Sequence, residues 1–148
     1  MPTANLLPDG DTTTDWGKTL PNVPETHFTK VDEGTLAAED SDFVQSDKID
    51  EVDQYTLTAS PGDVSTVTQI DVNWRGRIVD PSGQRAVQLD LFHTGSTPVT
   101  GNPKYVTVQD LGGSGVIATI QKSWTGLSLT KAQADSLEIR KTHLSKVG

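Results

Sequence analysis

The alternation of apolar and polar residues across positions 69–78 constrains the fold of this chain more than any other feature. The residues on the apolar side of this segment are Ile70, Val72, Trp74 and Ile78. The residues on the polar side are Gln69, Asp71, Asn73, Arg75 and Arg77. A period of two sustained over this length indicates a half-buried β-strand. Gly76 interrupts the apolar side and predicts a bulge or the close approach of a neighbouring backbone.

Shorter segments of the same kind, separated by turn residues, recur along the chain. We predict strands at 5–7, 27–32, 43–45, 53–59, 70–78, 87–91, 105–109, 116–121 and 137–140. The turn sequence at 80–83 predicts an antiparallel hairpin between 70–78 and 87–91, and the glycines of 111–115 predict another tight turn. One short helical turn is expected from Thr130 to Asp135, capped by Thr130.

This pattern predicts an all-β fold of about eight or nine short strands, arranged as an antiparallel β-sandwich that is jelly-roll-like. Strand spacing alone leaves an immunoglobulin-like order open. A chain of 148 residues suits a single domain. We expect one domain over 1–148, with its core at about 5–140 and a short C-terminal tail at 141–148.

The composition excludes several classes of function. A formal net charge of −8 argues against nucleic-acid or anionic-membrane partners, which both require concentrated positive charge. The chain has no cysteine, which excludes disulfides and thiolate chemistry. We expect no signal peptide and no membrane span, and synthesis in the cytosol.

Charge is unevenly distributed. Residues 1–63 carry 14 acids and three bases, whereas 64–148 carry six acids and nine bases. One interpretation is a solvated acidic loop region folded onto a nearly neutral sheet. The other is self-complementarity between copies, or docking on a basic partner surface.

Two acidic clusters invite a test for a metal site. Asp9, Asp11 and Asp15 are weak calcium candidates, because carboxylates on a bent loop can converge on a cation. An EF-hand would require glutamate where Leu20 stands. The second cluster is Glu39, Asp40 and Asp42. Turn formation explains these residues more simply, so we expect no metal and no cofactor.

No catalytic motif is apparent. His27, His93 and His143 occur singly and are expected at surface or rim positions, and the glycines of 112–115 match neither a nucleophile elbow nor a P-loop. Paired carboxylates for glycoside hydrolysis would have to come from Asp32, Glu33 or Asp71, with no sign of a cleft. Trp16 and Trp124 are the candidate stacking residues for a glycan.

The order of these features is similar to that of a known group of proteins over about residues 5–140. The matching segments are Asn5-Leu6-Leu7-Pro8-Asp9-Gly10-Asp11 with Trp16, Val31-Asp32-Glu33, Asp40-Ser41-Asp42-Phe43-Val44, Asp53-Gln54-Tyr55-Thr56-Leu57, Val72-Asn73-Trp74-Arg75-Gly76-Arg77 with Val87-Gln88-Leu89, Trp124, Leu129-Thr130-Lys131-Ala132-Gln133-Ala134-Asp135 and Leu137-Glu138-Ile139-Arg140. Together they resemble the small β-sandwich virion structural proteins of tailed bacteriophages and prophages.

The resemblance implies a non-enzymatic virion building block. It favours a capsid decoration or cement protein, a homotrimer bound to the major capsid protein on the exterior of the shell. The acidic N-terminal third is then the expected docking or subunit-contact region. The alternative is a carbohydrate-binding module or tail-associated adhesin, which requires Trp16 or Trp124 to be exposed. A small hydrolase is a third hypothesis, disfavoured by the missing catalytic constellation.

Overall fold

The computed structural model describes residues 3–18 and 44–147. Its strands are β1 (Pro8–Thr14), β2 (Gly17–Lys18), β3 (Val44–Gln45), β4 (Val52–Leu57), β5 (Thr66–Val67), β6 (Ile70–Gly76), β7 (Ala86–His93), β8 (Thr97–Pro98), β9 (Lys104–Thr107), β10 (Ala118–Trp124), β11 (Leu129–Thr130) and β12 (Glu138–Leu144). One short helix, α1 (Lys131–Asp135), precedes the last strand. The predicted all-β, antiparallel class is confirmed.

A six-stranded sheet forms the body of the described structure. Its order is β1-β4-β12-β7-β8, and β9 also pairs with β7. The strand latest in sequence, β12, therefore lies at the centre, between β4 and β7. All these pairings are antiparallel.

A two-stranded ribbon of β6 and β10 packs on the same core. The seven residues of β6 pair in register from Ile70 opposite Trp124 to Gly76 opposite Ala118. The predicted hairpin between 70–78 and 87–91 is therefore wrong. The turn does form, with the Gly83 N–H donating to the Asp80 carbonyl. The chain after it passes into the main sheet, where β7 pairs with β12 instead of β6.

The hydrophobic core is continuous between the sheet and the ribbon. Its most deeply buried large side chains are Trp124, Leu89, Leu91, Val99 and Val106. The apolar side of β6 and β10 lies partly buried against them. This burial follows from the alternation seen in the sequence, because a period of two places one side of each strand on the core. The jelly-roll order stays a prediction.

The predicted helical turn is confirmed. The Thr130 side chain accepts from the Gln133 backbone N–H, and the Gln133 side chain accepts from the Thr130 N–H, which is a complete capping box. Ala134 is buried and anchors the helix to the core.

Several predicted boundaries are wrong. Residues 5–7 are not a strand, and the first strand is β1. The predicted tail begins too early, because β12 continues to Leu144 and buries Lys141 and His143. The predicted strand at 27–32 lies outside the described residues.

The prediction at Gly76 of a bulge or a close neighbouring backbone is wrong, because β6 pairs with β10 without a register shift and the atoms nearest to a Cβ at this position belong to a side chain. A Cβ placed on Gly76 would lie 2.7 Å from the Trp74 ring. The indole lies along its own strand and occupies the space that a larger residue at position 76 would need.

Candidate functional site

The main sheet holds a charged pair in its interior, Asp53 on β4 and Lys141 on β12. The two residues are direct partners across the ladder, and Leu89 of β7 pairs with Lys141 on its other side. Asp53 is fully buried and Lys141 is 7% exposed. The Lys141 Nζ lies 3.9 Å from Asp53 Oδ2. Such burial is costly for charged groups unless neighbours compensate for lost hydration.

Two neighbouring residues supply that compensation. The Tyr55 hydroxyl donates to Asp53 Oδ2 at 2.8 Å, and the Trp16 backbone N–H donates to Asp53 Oδ1 at 3.0 Å. The Lys141 Nζ lies 4.4 Å from the centre of the Trp16 ring and 5.2 Å from that of Tyr55. These distances permit cation–π attraction. We call Trp16, Asp53, Tyr55 and Lys141 the Asp53–Lys141 cluster.

Burial changes the proton affinities in this cluster. Desolvation lowers the pKa of Lys141 to about 8, although the charges of Asp53 and Asp11 act in the opposite direction. Burial, followed by the charge of Asp53, raises the pKa of Tyr55 above its ordinary value. The amine is therefore partly neutral near neutral pH, whereas the phenol keeps its proton.

A second polar group joins Ser46, Glu51 and His143. Ser46 Oγ lies 2.7 Å from Glu51 Oε2 and 2.9 Å from His143 Nδ1, and 2.9 Å from the Lys48 carbonyl oxygen. The carboxylate and the carbonyl can only accept, so the hydroxyl donates to one of them and the ring N–H donates to the hydroxyl. A nucleophilic serine requires the opposite arrangement, with histidine accepting its proton. This group fastens the start of β4 to β12.

The turn between the ribbon and the main sheet is organised by Asp80. Its carboxylate accepts from the backbone N–H groups of Arg85, Gln84 and Ser82 and from the Ser82 hydroxyl. The Arg85 N–H, followed by the Ser82 hydroxyl, lowers the pKa of Asp80 to about 2. The ionised side chain thus stabilises the turn.

Three features of the surface are candidates for contact with partners. The first is β1, which carries Asp9 and Asp11, ends beside Asp15, and has only β4 as a partner among the strands described. The second is the polar outer side of the β6–β10 ribbon. The third is an apolar patch of Val79, Val116 and Ile117, exposed by 62%, 42% and 42%.

The surface also has a shallow, open groove of about 450 Å³. Its lining residues are Gly83, Gln84, Thr107, Gln109, Lys146 and Val147. Lys146 is the only ionisable side chain among these lining residues, so the groove brings no acid–base pair together.

The calcium candidates do not lie together on a bent loop. Asp9 and Asp11 lie on the extended strand β1. The Asp9 carboxylate accepts from the Thr56 hydroxyl, and that of Asp15 accepts from the Val52 N–H. Within residues 3–18 and 44–147, no group of three acidic or histidine side chains is placed to hold a metal ion. Glu39, Asp40 and Asp42 lie outside the described residues.

The tryptophans predicted for glycan stacking are in the interior. Trp16 is 7% exposed and Trp124 is fully buried. The carbohydrate-binding alternative predicts that Trp16 or Trp124 is exposed, and this prediction is wrong for both residues. Their indole N–H groups are also occupied, Trp16 by the Glu51 carbonyl and Trp124 by Asn102 Oδ1.

The prediction that the histidines lie at the surface or rim is wrong for both histidines that the structure describes. His93 and His143 are both buried rather than at the surface or rim. Asp71, one of the carboxylates considered for hydrolysis, lies on the exposed side of β6. His27, Asp32 and Glu33 lie outside the described residues.

Sequence reasoning missed the Asp53–Lys141 cluster, although a signal was present. Leu137 and Ile139 alternate with Glu138 and Arg140 in the predicted strand at 137–140, and continuing that alternation places Lys141 and His143 on the same side as the two apolar residues. Asp53 stands two residues before the inward Tyr55 in the same way. The predicted tail at 141–148 ends the strand before Lys141, so the predicted alternation does not reach this residue.

Comparison with known proteins identifies no relative: no family model, no curated protein and no solved structure matches this chain. Within the part of the chain that is described, no helix has the length and apolarity needed to cross a bilayer.

Proposed function

We propose that this protein is a non-enzymatic structural component of a phage virion, most specifically a capsid decoration protein. It binds the outer surface of the major capsid protein and stabilises the shell. The proposal draws on the sequence resemblance for its class. The acidic surface described above supports such a contact.

The observation that carries the proposal is the acidic edge strand β1. Asp9 is exposed on this strand and Asp15 is exposed just after it. In the described segment that precedes β4, Asp47, Asp50 and Glu51 add further negative charge, which Lys48 offsets in part. A concentration of one charge sign on one edge favours contact with a basic surface and speeds the encounter with it.

The shape of β1 favours contact through side chains rather than strand addition. Its pairing with β4 shifts register between Pro8 and Gly10 and again between Asp11 and Thr13. Bulges, proline and charge on an edge strand all hinder pairing with a further strand. The partner therefore meets carboxylates, and each weak contact gains strength when many copies bind one lattice.

Co-sedimentation with empty capsids tests the proposal. The protein is expected to sediment with capsids at low salt and to be released as salt rises, because exposed charge contacts are screened. Failure to sediment with capsids at low salt contradicts the proposal.

Two variants with the same change in net charge locate the contact. Asp9→Asn keeps an acceptor for the Thr56 hydroxyl and removes a charge from β1, so it should weaken sedimentation. Asp71→Asn removes one charge from the exposed side of β6 and should leave sedimentation unchanged. Equal effects from both variants contradict a contact at β1.

The proposed assembly is a homotrimer at local threefold positions of the shell. Light scattering after size exclusion measures the native mass, with an expected value of three times 15.9 kDa. A stable dimer or tetramer contradicts the threefold arrangement, because its symmetry does not match the site.

A further inference from the structure

We propose that the side chains of Lys141 and Asp53 condense into an intramolecular amide, an isopeptide bond that joins β12 to β4 covalently. This modification concerns the interior of the domain. It is independent of the virion role proposed above, and either proposal can fail without the other.

The geometry holds the two reacting groups together. Lys141 and Asp53 are fixed opposite each other by the antiparallel ladder, with Nζ and Oδ2 3.9 Å apart. A charge-assisted hydrogen bond of this type is usually about 2.7–2.9 Å long. The pair is thus adjacent without being locked into an optimal ion pair. Groups held in this way react as if they were at very high concentration.

Burial favours the amide over the ion pair. Asp53 is fully buried and Lys141 is 7% exposed, so both charges have lost most of their hydration, which disfavours the ionised forms. Condensation replaces an ammonium and a carboxylate by one neutral group. The enclosure that disfavours the charges also keeps bulk water from reversing the reaction.

The reaction needs no further reactant. The ammonium transfers one proton to the carboxylate, which leaves a neutral amine and a neutral acid. The amine lone pair attacks Cγ of Asp53, forming the C–N bond and moving the carbonyl π electrons onto oxygen. A second proton passes from nitrogen to the departing oxygen, the C–O bond breaks, and water leaves.

The neighbours of the pair suit this chemistry. The Tyr55 hydroxyl and the Trp16 backbone N–H donate to the two oxygens of Asp53, and such donors stabilise the negative charge that develops on oxygen during attack. Asp11 pairs with Tyr55 in the ladder, and its charge acts on Lys141.

The lowered pKa of Lys141 agrees with its proposed role as the attacking amine. With a pKa of about 8, roughly a tenth of Lys141 is neutral at pH 7 even before the reaction begins. An ordinary lysine is almost entirely protonated and unreactive at that pH.

Intact-mass measurement of the purified, denatured full chain tests the proposal. The expected mass is lower than that of the sequence by about 18 Da, one water. Trypsin does not cleave after an acylated lysine, so digestion should yield residues 49–75 joined to residues 141–146. An unmodified mass, or a water loss located elsewhere, overturns the proposal.

Variants separate this bond from other dehydrations. Lys141→Arg should have the full mass of its sequence, because a guanidinium remains protonated and does not attack. Lys131→Arg is the matched control, since Lys131 pairs with Asp135 at 3.0 Å on the surface, and it should retain the water loss. Persistence of the loss in Lys141→Arg overturns the proposal.

The rate of cross-linking tests the role of Tyr55. Tyr55→Phe keeps the ring and removes the donor to Asp53, and loss of one such donor slows a reaction by about a hundredfold or more. Freshly purified Tyr55→Phe should contain uncross-linked chains that convert over time, as followed by intact mass, with circular dichroism confirming the fold. Complete cross-linking at the earliest time point excludes Tyr55 from the reaction.

Discussion

Asn102 offers the sharpest test of how this core is held together. Its Oδ1 accepts from the Leu91 N–H at 3.0 Å and from the Trp124 indole N–H at 2.8 Å, and its Nδ2 donates to the Leu91 carbonyl at 2.7 Å. Leu91 and Trp124 are both fully buried. One amide therefore serves the main sheet and the ribbon together.

The magnitude of the Asn102→Ala effect follows from the groups left unpaired. The Leu91 carbonyl keeps a second partner, the Val99 N–H. The Leu91 N–H and the Trp124 indole N–H lose the acceptor Asn102, and each buried polar group left unsatisfied costs about 1–3 kcal/mol. The free energy of unfolding should fall by about 2–6 kcal/mol, a large share of a typical stability of about 5–15 kcal/mol.

Urea denaturation followed by circular dichroism measures this loss. Asn73→Ala, on the exposed side of β6, is the control and should change stability by less than about 0.5 kcal/mol. Trp124→Phe removes one of the two donors, so adding Asn102→Ala to it should cost about 1–3 kcal/mol less than in the unaltered chain. A loss below about 1 kcal/mol for Asn102→Ala, or strict additivity with Trp124→Phe, refutes this reasoning.

Three further predictions follow from local contacts. Gly76→Ala should destabilise the fold by about 1–3 kcal/mol because its new methyl group meets the Trp74 ring. Gly62 has open space around it, so Gly62→Ala is the control and should not destabilise the fold. Thermal unfolding of the two variants measures the difference. Thr130→Ala removes the capping box and should cost about 1 kcal/mol in urea denaturation. The depressed pKa of Asp80 means that its ionised form stabilises the fold above the ordinary pKa and that this contribution is lost as pH falls toward 2. Asp80→Asn should therefore flatten the loss of stability between about pH 4 and about pH 2, measured by urea midpoints, and an unchanged slope contradicts it.

Local signals in the sequence predicted local structure well. The helical turn after Thr130 formed because its cap and its first turn lie within a few residues of each other. The turn at Asp80 formed for the same reason, since an aspartate can satisfy the backbone groups that follow it.

Strand pairing was not predictable from neighbouring segments. The turn at 80–83 indicated a hairpin, but β7 pairs with β12, β8 and β9. The alternation of apolar residues records which side of a strand is buried and does not record which strand lies beside it. Pairing between distant segments depends on the whole core, and no single turn encodes it.

The Asp53–Lys141 cluster was not predicted from the sequence for a related reason. A lysine and an aspartate separated by most of the chain each resemble solvated surface residues. The ladder between β4 and β12 brings them together, and Trp16 and Tyr55 pack beside them in the buried interior. The alternation that continues past Ile139 was the available signal, but the predicted tail at 141–148 ended the strand before it reached Lys141.

The central place of β12 governs when the sheet can form during synthesis. As the chain emerges from the ribosome, β4 and β7 are made first. Both strands pair with β12, which begins about fifty residues after the start of β7. Until Glu138–Leu144 has emerged, the two halves of the sheet expose unpaired edges and an open core. A nascent chain arrested before that point lacks the strand that joins them, so only chains translated through β12 can adopt the native sheet. The order of elements therefore makes completion of the main sheet depend on synthesis of its last described strand, β12.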